Sequence, residues 1–211
     1  MGYQTEQETF WSGTFGDEYI ERNACTQEFL APAIGLYAKI LGKTAGIRSV
    51  IEFGSNIGIN LKAIKMLLPD IKPAAIEINH KAAQTLKADA FFKDGVDVFE
   101  TSILEYTPCS TYDFVLISGV LIHTNPDELH HVYQKLYASS GKYICICEYY
   151  NPTPVEIPYR GFGGKLFKRD FAGEFLDNYP DCKLVDYGFS YHRDPVFPRD
   201  DATWFLLEKA G

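Results

Sequence analysis

Apolar residues recur along this chain in two rhythms, and the change of rhythm predicts the elements. Residues 28–41 repeat apolar positions at helical spacing and predict a helix, while nothing in residues 1–46 reads as a strand. Residues 48–54 predict a short buried strand closing on a glycine turn, and residues 60–68 a helix stopped by Pro69-Asp70. A second strand is expected over 73–78, a helix over 80–90 and a third strand over 96–100. The clearest strand spans 112–118 and is followed by a helix from about Pro126 to Ser139. A fifth strand over 142–149, a helix over 170–178 and a hairpin-like pair over 183–191 and 202–207 complete the pattern. Strands alternating with helices predict an α/β fold of βαβ units, its sheet mostly parallel with an antiparallel C-terminal end. At 211 residues, with no repeat and no low-complexity linker, one domain suffices: a helical segment (1–46) attached to the α/β body (47–211).

A sheet of this kind binds ligands outside the carboxyl ends of its strands, where strand order reverses. After the first strand stands Glu52-Phe53-Gly54-Ser55-Asn56-Ile57-Gly58-Ile59-Asn60. A dinucleotide fingerprint G-x-G-x-x-G would need glycine at 54, 56 and 59, but Asn56 and Ile59 hold the last two places. The middle glycine lets backbone approach a pyrophosphate, and the Cβ of Asn56 obstructs that approach. An acidic residue followed by Gly54 and Gly58, four apart, suits a ligand with no phosphate to cradle. A helix starting near Gly58 offers its N-terminus to a carboxylate, with about 0.3–1 kcal/mol from the dipole. Glu77, closing the second strand, is placed to accept both hydroxyls of a ribose; its plainer reading is a solvated strand-end acid. Each charge-assisted bond of that kind is worth about 1.5–3 kcal/mol.

Composition narrows the partners. Lys and Arg number 20 against 28 Asp and Glu, a net charge of −8, which argues against broad nucleic-acid binding through phosphate neutralisation. The five cysteines, 25, 109, 145, 147 and 182, are an odd set in a chain too long to need stapling, so free thiols in a reducing, cytoplasmic setting are expected. Cys145 and Cys147 would share one side of a strand, and with no second pair nearby no metal site is expected. The polar, acidic start Met1 to Glu8 predicts no secretory signal, and Glu6 spoils a myristoylation pattern. No apolar run approaches a membrane span.

The stretch from Val50 to Gly58 resembles the E/D-x-G-x-G-x-G motif of class I S-adenosylmethionine-dependent methyltransferases, with Asn56 in place of the usual middle glycine. The order of elements matches that fold, so the resemblance implies a Rossmann-like, seven-stranded sheet and S-adenosylmethionine as cofactor, leaving S-adenosylhomocysteine as product. It implies that Glu52, Gly54, Ser55, Asn56, Gly58 and Ile78 bind the cofactor, with Glu77 on its ribose. Ser102 and Ile103 would meet adenine, Ser102 standing where an aspartate is usual, and Ser118, Gly119 and Val120 would line the methionine and sulfonium. A narrower likeness covers almost the whole chain. It rests on residues 10–23 (FWSGTFGDEYIERN), 119–123 (GVLIH), 148–154 (EYYNPTP), 159–161 (YRG), 165–174 (KLFKRDFAGE) and 191–195 (YHRDP). These segments look like the pseudaminic acid biosynthesis-associated methyltransferases. That likeness implies an N-terminal segment folded over the cofactor, with Trp11 and Tyr19 against it and Arg22 offered to the methionine carboxylate. A plainer role for Trp11 and Phe15 is to staple the N-terminal helix to the sheet.

Two groups carry candidate chemistry. His123, five residues past Ser118, is placed to take a proton from an acceptor near neutral pH, or else to cap the helix that follows. Residues 148–171 concentrate Glu148, Tyr149, Tyr150, Tyr159, Arg160, Lys165, Lys168 and Arg169 directly after the fifth strand. Tyr149 and Tyr150 are expected beside the reacting atoms, and Glu148, Tyr159, Arg160, Lys165 and Arg169 against the acceptor. The alternative is a solvated basic loop. His192 either joins the rim or forms a turn with Pro195. The expected reaction is in-line methyl transfer to a small polar acceptor, anionic or sugar-like, by a monomer or homodimer. A nicotinamide oxidoreductase is disfavoured by Asn56 and Ile59, and a nucleic-acid base methyltransferase by Ser118-Gly119-Val120-Leu121 where Asn/Asp-Pro-Pro-aromatic would stand. A catalytically silent binding or scaffold protein on the same fold is the rival from another class.

Overall fold

The computed structural model describes residues 3–23, 26–93 and 95–210; of the expected free thiols, Cys25 lies outside them. Three helices come first: α1 (Glu6–Ser12), α2 (Thr14–Arg22) and α3 (Gln27–Leu41). The body then alternates β1 (Ser49–Phe53), α4 (Ile59–Leu67), β2 (Lys72–Glu77), α5 (His80–Lys87), β3 (Asp97–Glu100) and β4 (Tyr112–Ser118). It continues through α6 (Leu129–Ser139), β5 (Ser140–Glu148), β6 (Val155–Glu156), β7 (Phe167–Lys168), α7 (Phe171–Asn178), β8 (Cys182–Phe189) and β9 (Thr203–Lys209).

Seven strands form one sheet in the order β3-β2-β1-β4-β5-β9-β8. β1 pairs in parallel with both β2 and β4, so strand order reverses between β1 and β4. β9 runs antiparallel between β5 and β8, which makes the expected antiparallel strand an inner one and β8 the edge. Strand alternation sorts the core into two faces. Ile51, Phe53, Val115, Ile117, Ile144 and Ile146 pack under α6 and α7. Val50, Phe114, Leu116, Cys145, Cys147 and Leu206 pack under α3, α4 and α5. Cys145 and Cys147 do share a side, and with Cys109 and Cys182 they are free thiols.

The expected elements are present with ends shifted by a few residues; the helix placed over 126–139 begins with a 3₁₀ turn at Pro126–Glu128 before α6. Two features are new. Residues 3–23 form two short helices, the first closed by a capping box between Thr5 and Glu8. The segment read as acceptor-contacting, with a solvated basic loop as the alternative, folds back as the β6–β7 hairpin, whose tip pairs Tyr159 with Phe162. Trp11 and Phe15 pack on this hairpin, so they staple α1 and α2 to it rather than to the sheet.

Candidate functional site

The turn after β1 is shaped by three left-handed residues. Gly54 (φ +74) has no room for a side chain, since a Cβ there would stand 2.5 Å from Val120 Cγ2. Gly58 (φ +79) is equally confined, 2.6 Å from Leu86 Cδ1. Between them Asn56 takes φ +49, a conformation asparagine tolerates better than most side chains. The expected obstruction at the middle position is therefore met by a glycine-like backbone at an asparagine.

That backbone grips Glu77. The Asn56 N–H donates to Oε2 at 2.6 Å and the Asn79 N–H to Oε1 at 2.8 Å. Both oxygens are fixed, and each keeps a further lone pair. Burial raises the Glu77 carboxyl above its ordinary range while these backbone donors pull it back. Glu52, near the end of β1, is more isolated. Its Oε1 accepts from Asn60 Nδ2 at 2.7 Å, but Oε2 is buried without a partner. Burial pushes this carboxyl up to about 8, against the opposing Asn60 bond.

The wall beyond β3 is joined to α1. The Ser102 hydroxyl donates to Glu8, and the Leu104 N–H donates to Ser102 Oγ at 3.0 Å. Asn79 holds the same strap, donating to the Trp11 carbonyl at 3.3 Å and to Asp17 Oδ1 at 2.9 Å.

On the other side, β5 ends in Glu148. Its carboxylate accepts the N–H groups of Val120 (2.9 Å), Leu121 (3.0 Å) and Ile122 (3.4 Å), capping the 3₁₀ turn Leu121–His123. Burial pushes it up to about 7 despite those donors. Glu148 thus anchors the turn that carries His123 while also lining the cavity. His123 lies between the rings of Trp11 and Tyr159, with centroids at 4.7 and 4.8 Å, and its Nδ1 sits 2.5 Å from the Lys165 carbonyl. Burial in this cage drops its pKa to about 4, so the ring is neutral near pH 7.

One cavity of about 810 Å³ joins both sides, within the usual range of about 300–1,000 Å³ for ligand pockets. Trp11, Tyr19, Arg22, Glu52, Gly54, Ser55, Asn56, Glu77, Ile78, Ser102, Ile103, Ser118, Gly119, Val120, His123, Glu148, Tyr149, Tyr159, Arg160 and His192 all line it. Four expected residues do not. Gly58 shapes the turn from behind, and Tyr150 faces Phe205 outside. Lys165 turns its ammonium to Glu6, lending His123 its backbone carbonyl, and Arg169 bonds Glu174 at 2.6 Å. Arg22 lines the wall but also pairs with Glu18 at 3.5 Å.

Sequence reasoning missed Glu8, Asn60, Asn79, Arg199 and Asp200, all at the wall. Glu8 was legible as the last member of a T-x-x-E capping box. Arg199 and Asp200 come from the loop before β9, and no pattern marked them. Burial raises the hydroxyls of Tyr149 and Tyr19, the latter to about 12, with Asp200 adding to both and Tyr159 to Tyr19. Among the described residues no cluster of His, Cys, Asp and Glu could hold a metal, and no helix is long and apolar enough to cross a membrane.

The site therefore offers fixed carboxylate acceptors at one end and a neutral imidazole among aromatic rings at the other. No protein-family model and no curated protein matches the chain. Solved structures match in fold. The magnesium protoporphyrin IX methyltransferase of Synechocystis PCC 6803, with bound SAH, aligns over 97% of this chain and 100% of its own at TM-score 0.70 and 12% identity. The plantazolicin methyltransferase BpumL, with SAH, aligns over 97% and 94% at TM-score 0.65 and 15% identity. The glycopeptide N-methyltransferase MtfA, complexed with sinefungin, aligns over 84% and 94% at TM-score 0.61 and 10% identity. The fold is that of the Rossmann-like methyltransferases.

Proposed function

We propose that this protein is an S-adenosylmethionine-dependent methyltransferase acting on a small polar acceptor, a sugar or a nonulosonic acid of the pseudaminic acid type. The observation that carries the reading is Glu77: at the carboxyl end of β2, beside the reversal of strand order, its two oxygens are held by Asn56 and Asn79 and their free lone pairs suit a ribose diol. The residues fit the rest of the cofactor. The unpartnered Glu52 Oε2 suits an ammonium group, and the turn at Gly54 is a cradle that a Cβ would fill. Ile78, Ser102 and Ile103 would flank adenine, and Ser118, Gly119 and Val120 the sulfur.

Bound there, S-adenosylmethionine supplies an activated methyl group. The chain's own work is to hold the acceptor in line, exclude water and take a proton. His123 presents neutral Nε2 for that proton, since Nδ1 faces a carbonyl. Trp11, Tyr19, Tyr149 and Tyr159 form the dry wall, and Arg160 and Arg199, which form no ion pair among the described residues, suit an anionic acceptor. The sugar-like acceptor is supported by the motifs shared with the pseudaminic acid-associated methyltransferases. Free thiols at Cys109, Cys145, Cys147 and Cys182 support a reducing, cytoplasmic setting.

The test is calorimetry with S-adenosylmethionine and NAD side by side, followed by transfer of labelled methyl to nucleotide sugars and nonulosonic acids. Binding of the sulfonium ligand alone and label in a sugar acceptor are expected. Binding without transfer to any acceptor favours the scaffold reading; binding of NAD alone removes both.

A further inference from the structure

His123 is held from two sides by segments far apart in sequence. A carbonyl can only accept, so the Lys165 oxygen at 2.5 Å requires the proton on Nδ1 and leaves Nε2 as an acceptor. Lys165 belongs to the hairpin, which has little sheet of its own, with β6 and β7 pairing over two residues each. Contacts from α1 hold it down. Gln7 Nε2 donates to the Gly164 carbonyl at 2.9 Å, one residue before Lys165, and the Lys165 ammonium pairs with Glu6 at 3.2 Å. At the hairpin tip Phe162 packs on Phe10 and Phe15, with centroids at 5.2 and 6.1 Å.

We infer that α1 is a tautomer lock: Gln7, supported by Glu6 and by Phe162 of the hairpin, positions the Lys165 carbonyl against His123, so that the imidazole is set as an acceptor at Nε2 only while α1 lies on the hairpin. Gln7 and Phe162 act on His123 through the Lys165 carbonyl and are positioning residues, Gln7 also lining the cavity. The charged and titratable groups around the ring are Tyr159, Arg160 and Lys165 of the hairpin and Glu148 of β5. The consequence for the acceptor rests on the proposed function. An Nε2 that can only accept welcomes a group that brings a hydrogen, an alcohol or an amine, and opposes its lone pair to a carboxylate.

The lock itself is tested without cofactor or acceptor, by nitrogen NMR of histidine-labelled protein. His123 is assigned among the five histidines by the signal lost in His123→Gln. The wild type should show one tautomer, protonated at Nδ1. Gln7→Glu keeps the shape but sets an acceptor against the Gly164 carbonyl. It should populate the Nε2-protonated tautomer and raise the midpoint of protonation by about one pH unit, as the ring regains solvent. Should Gln7→Glu fail to fold, Phe162→Ser against Phe162→Leu probes the same contact, the first unlocking the ring and the second restoring the wild-type signal. A mixed population in the wild type, or a wild-type spectrum in the unlocking variant, overturns the inference. Because no ligand is present, that outcome would leave the methyltransferase reading standing, and a failure to bind S-adenosylmethionine would leave the lock standing.

Discussion

The two ends of the cavity are built by different means. At the β1–β2 end the groups are backbone amides and carboxylates brought together by turns that follow neighbouring parallel strands, Asn56 to Glu77 being 21 residues apart. At the β4–β5 end they are rings and side chains from α1, α2 and the hairpin, with Gln7 and Gly164 separated by 157 positions. The first end is built on turns of the sheet, with the strap bonded to it from outside through Asn79 and Ser102. The second exists only when two peripheral segments meet. A binding function needs the first alone, whereas chemistry needs both.

Exchange of the imidazole tests this division most strongly. His123→Ala should lower methyl transfer by about 10²–10⁴-fold, the range for a lost general base, or roughly 3–5 kcal/mol of barrier. Its affinity for S-adenosylmethionine should stay at the wild-type value by calorimetry. An equal loss in both would mean that the two ends are not separable.

The buried carboxyl at the sheet end should show itself in the pH dependence of stability. Folded Glu52 keeps its proton up to about pH 8, while in the unfolded chain it ionises near the ordinary value of 4.5. Between those limits the folded state binds a proton that the unfolded state lacks, so stability is greatest at low pH and falls as pH rises to about 8. The slope approaches about 1.4 kcal/mol per pH unit. Glu148 contributes the same sign up to about 7, and His123 the opposite sign between its ordinary 6.5 and about 4. From pH 7 to 8 Glu52 adds its own slope to those of Glu148 and Glu77, buried carboxyls that are also raised and share its sign. Melting temperatures there should fall more steeply in the wild type than in Glu52→Gln; parallel curves would show that the carboxyl is already ionised in the folded protein.

The same division explains what could be read from the chain. Strand 112–118 and its neighbours were legible because a buried parallel strand needs an unbroken apolar run, and Gly54, Glu77 and Ser118 because chemistry follows strand ends. The hairpin was not legible. Its two-residue strands are too short for any period to register, and its order comes from Phe10, Phe15 and Gln7, which local pattern cannot connect to it. Glu148 was legible as a cavity residue from its place at the end of β5, but its bonds to the turn were not. Its oxygens are taken by three amides of a turn 26 to 28 residues earlier.

A milder probe of the sheet end is Glu77→Ala. Removal of this carboxylate should weaken S-adenosylmethionine binding at least ten-fold, about 1.4 kcal/mol, while any transfer at saturating cofactor persists. Wild-type affinity in the variant would place the ribose elsewhere and remove the main support for a pre-formed end.

The smallest effect asks whether the hairpin end carries strain for a purpose. Arg160 holds φ +50 beside Gly161 at φ +88, at the tip of a hairpin. A left-handed non-glycine residue costs about 1–2 kcal/mol, and glycine there loses roughly 0.5–1 kcal/mol of that in chain entropy. The guanidinium lies 5.9 Å from the Tyr159 ring, is exposed and forms no ion pair among the described residues, so it returns little stability. Arg160→Gly should therefore raise the unfolding free energy read from denaturation slightly, by about 0.5–1 kcal/mol, and at the same time raise KM for an anionic acceptor. A gain in stability with a loss of acceptor affinity is what a residue kept for binding predicts. A loss of stability would instead make Arg160 part of the clasp, and the hairpin end would then be held together by the same groups that were assigned to its ligand.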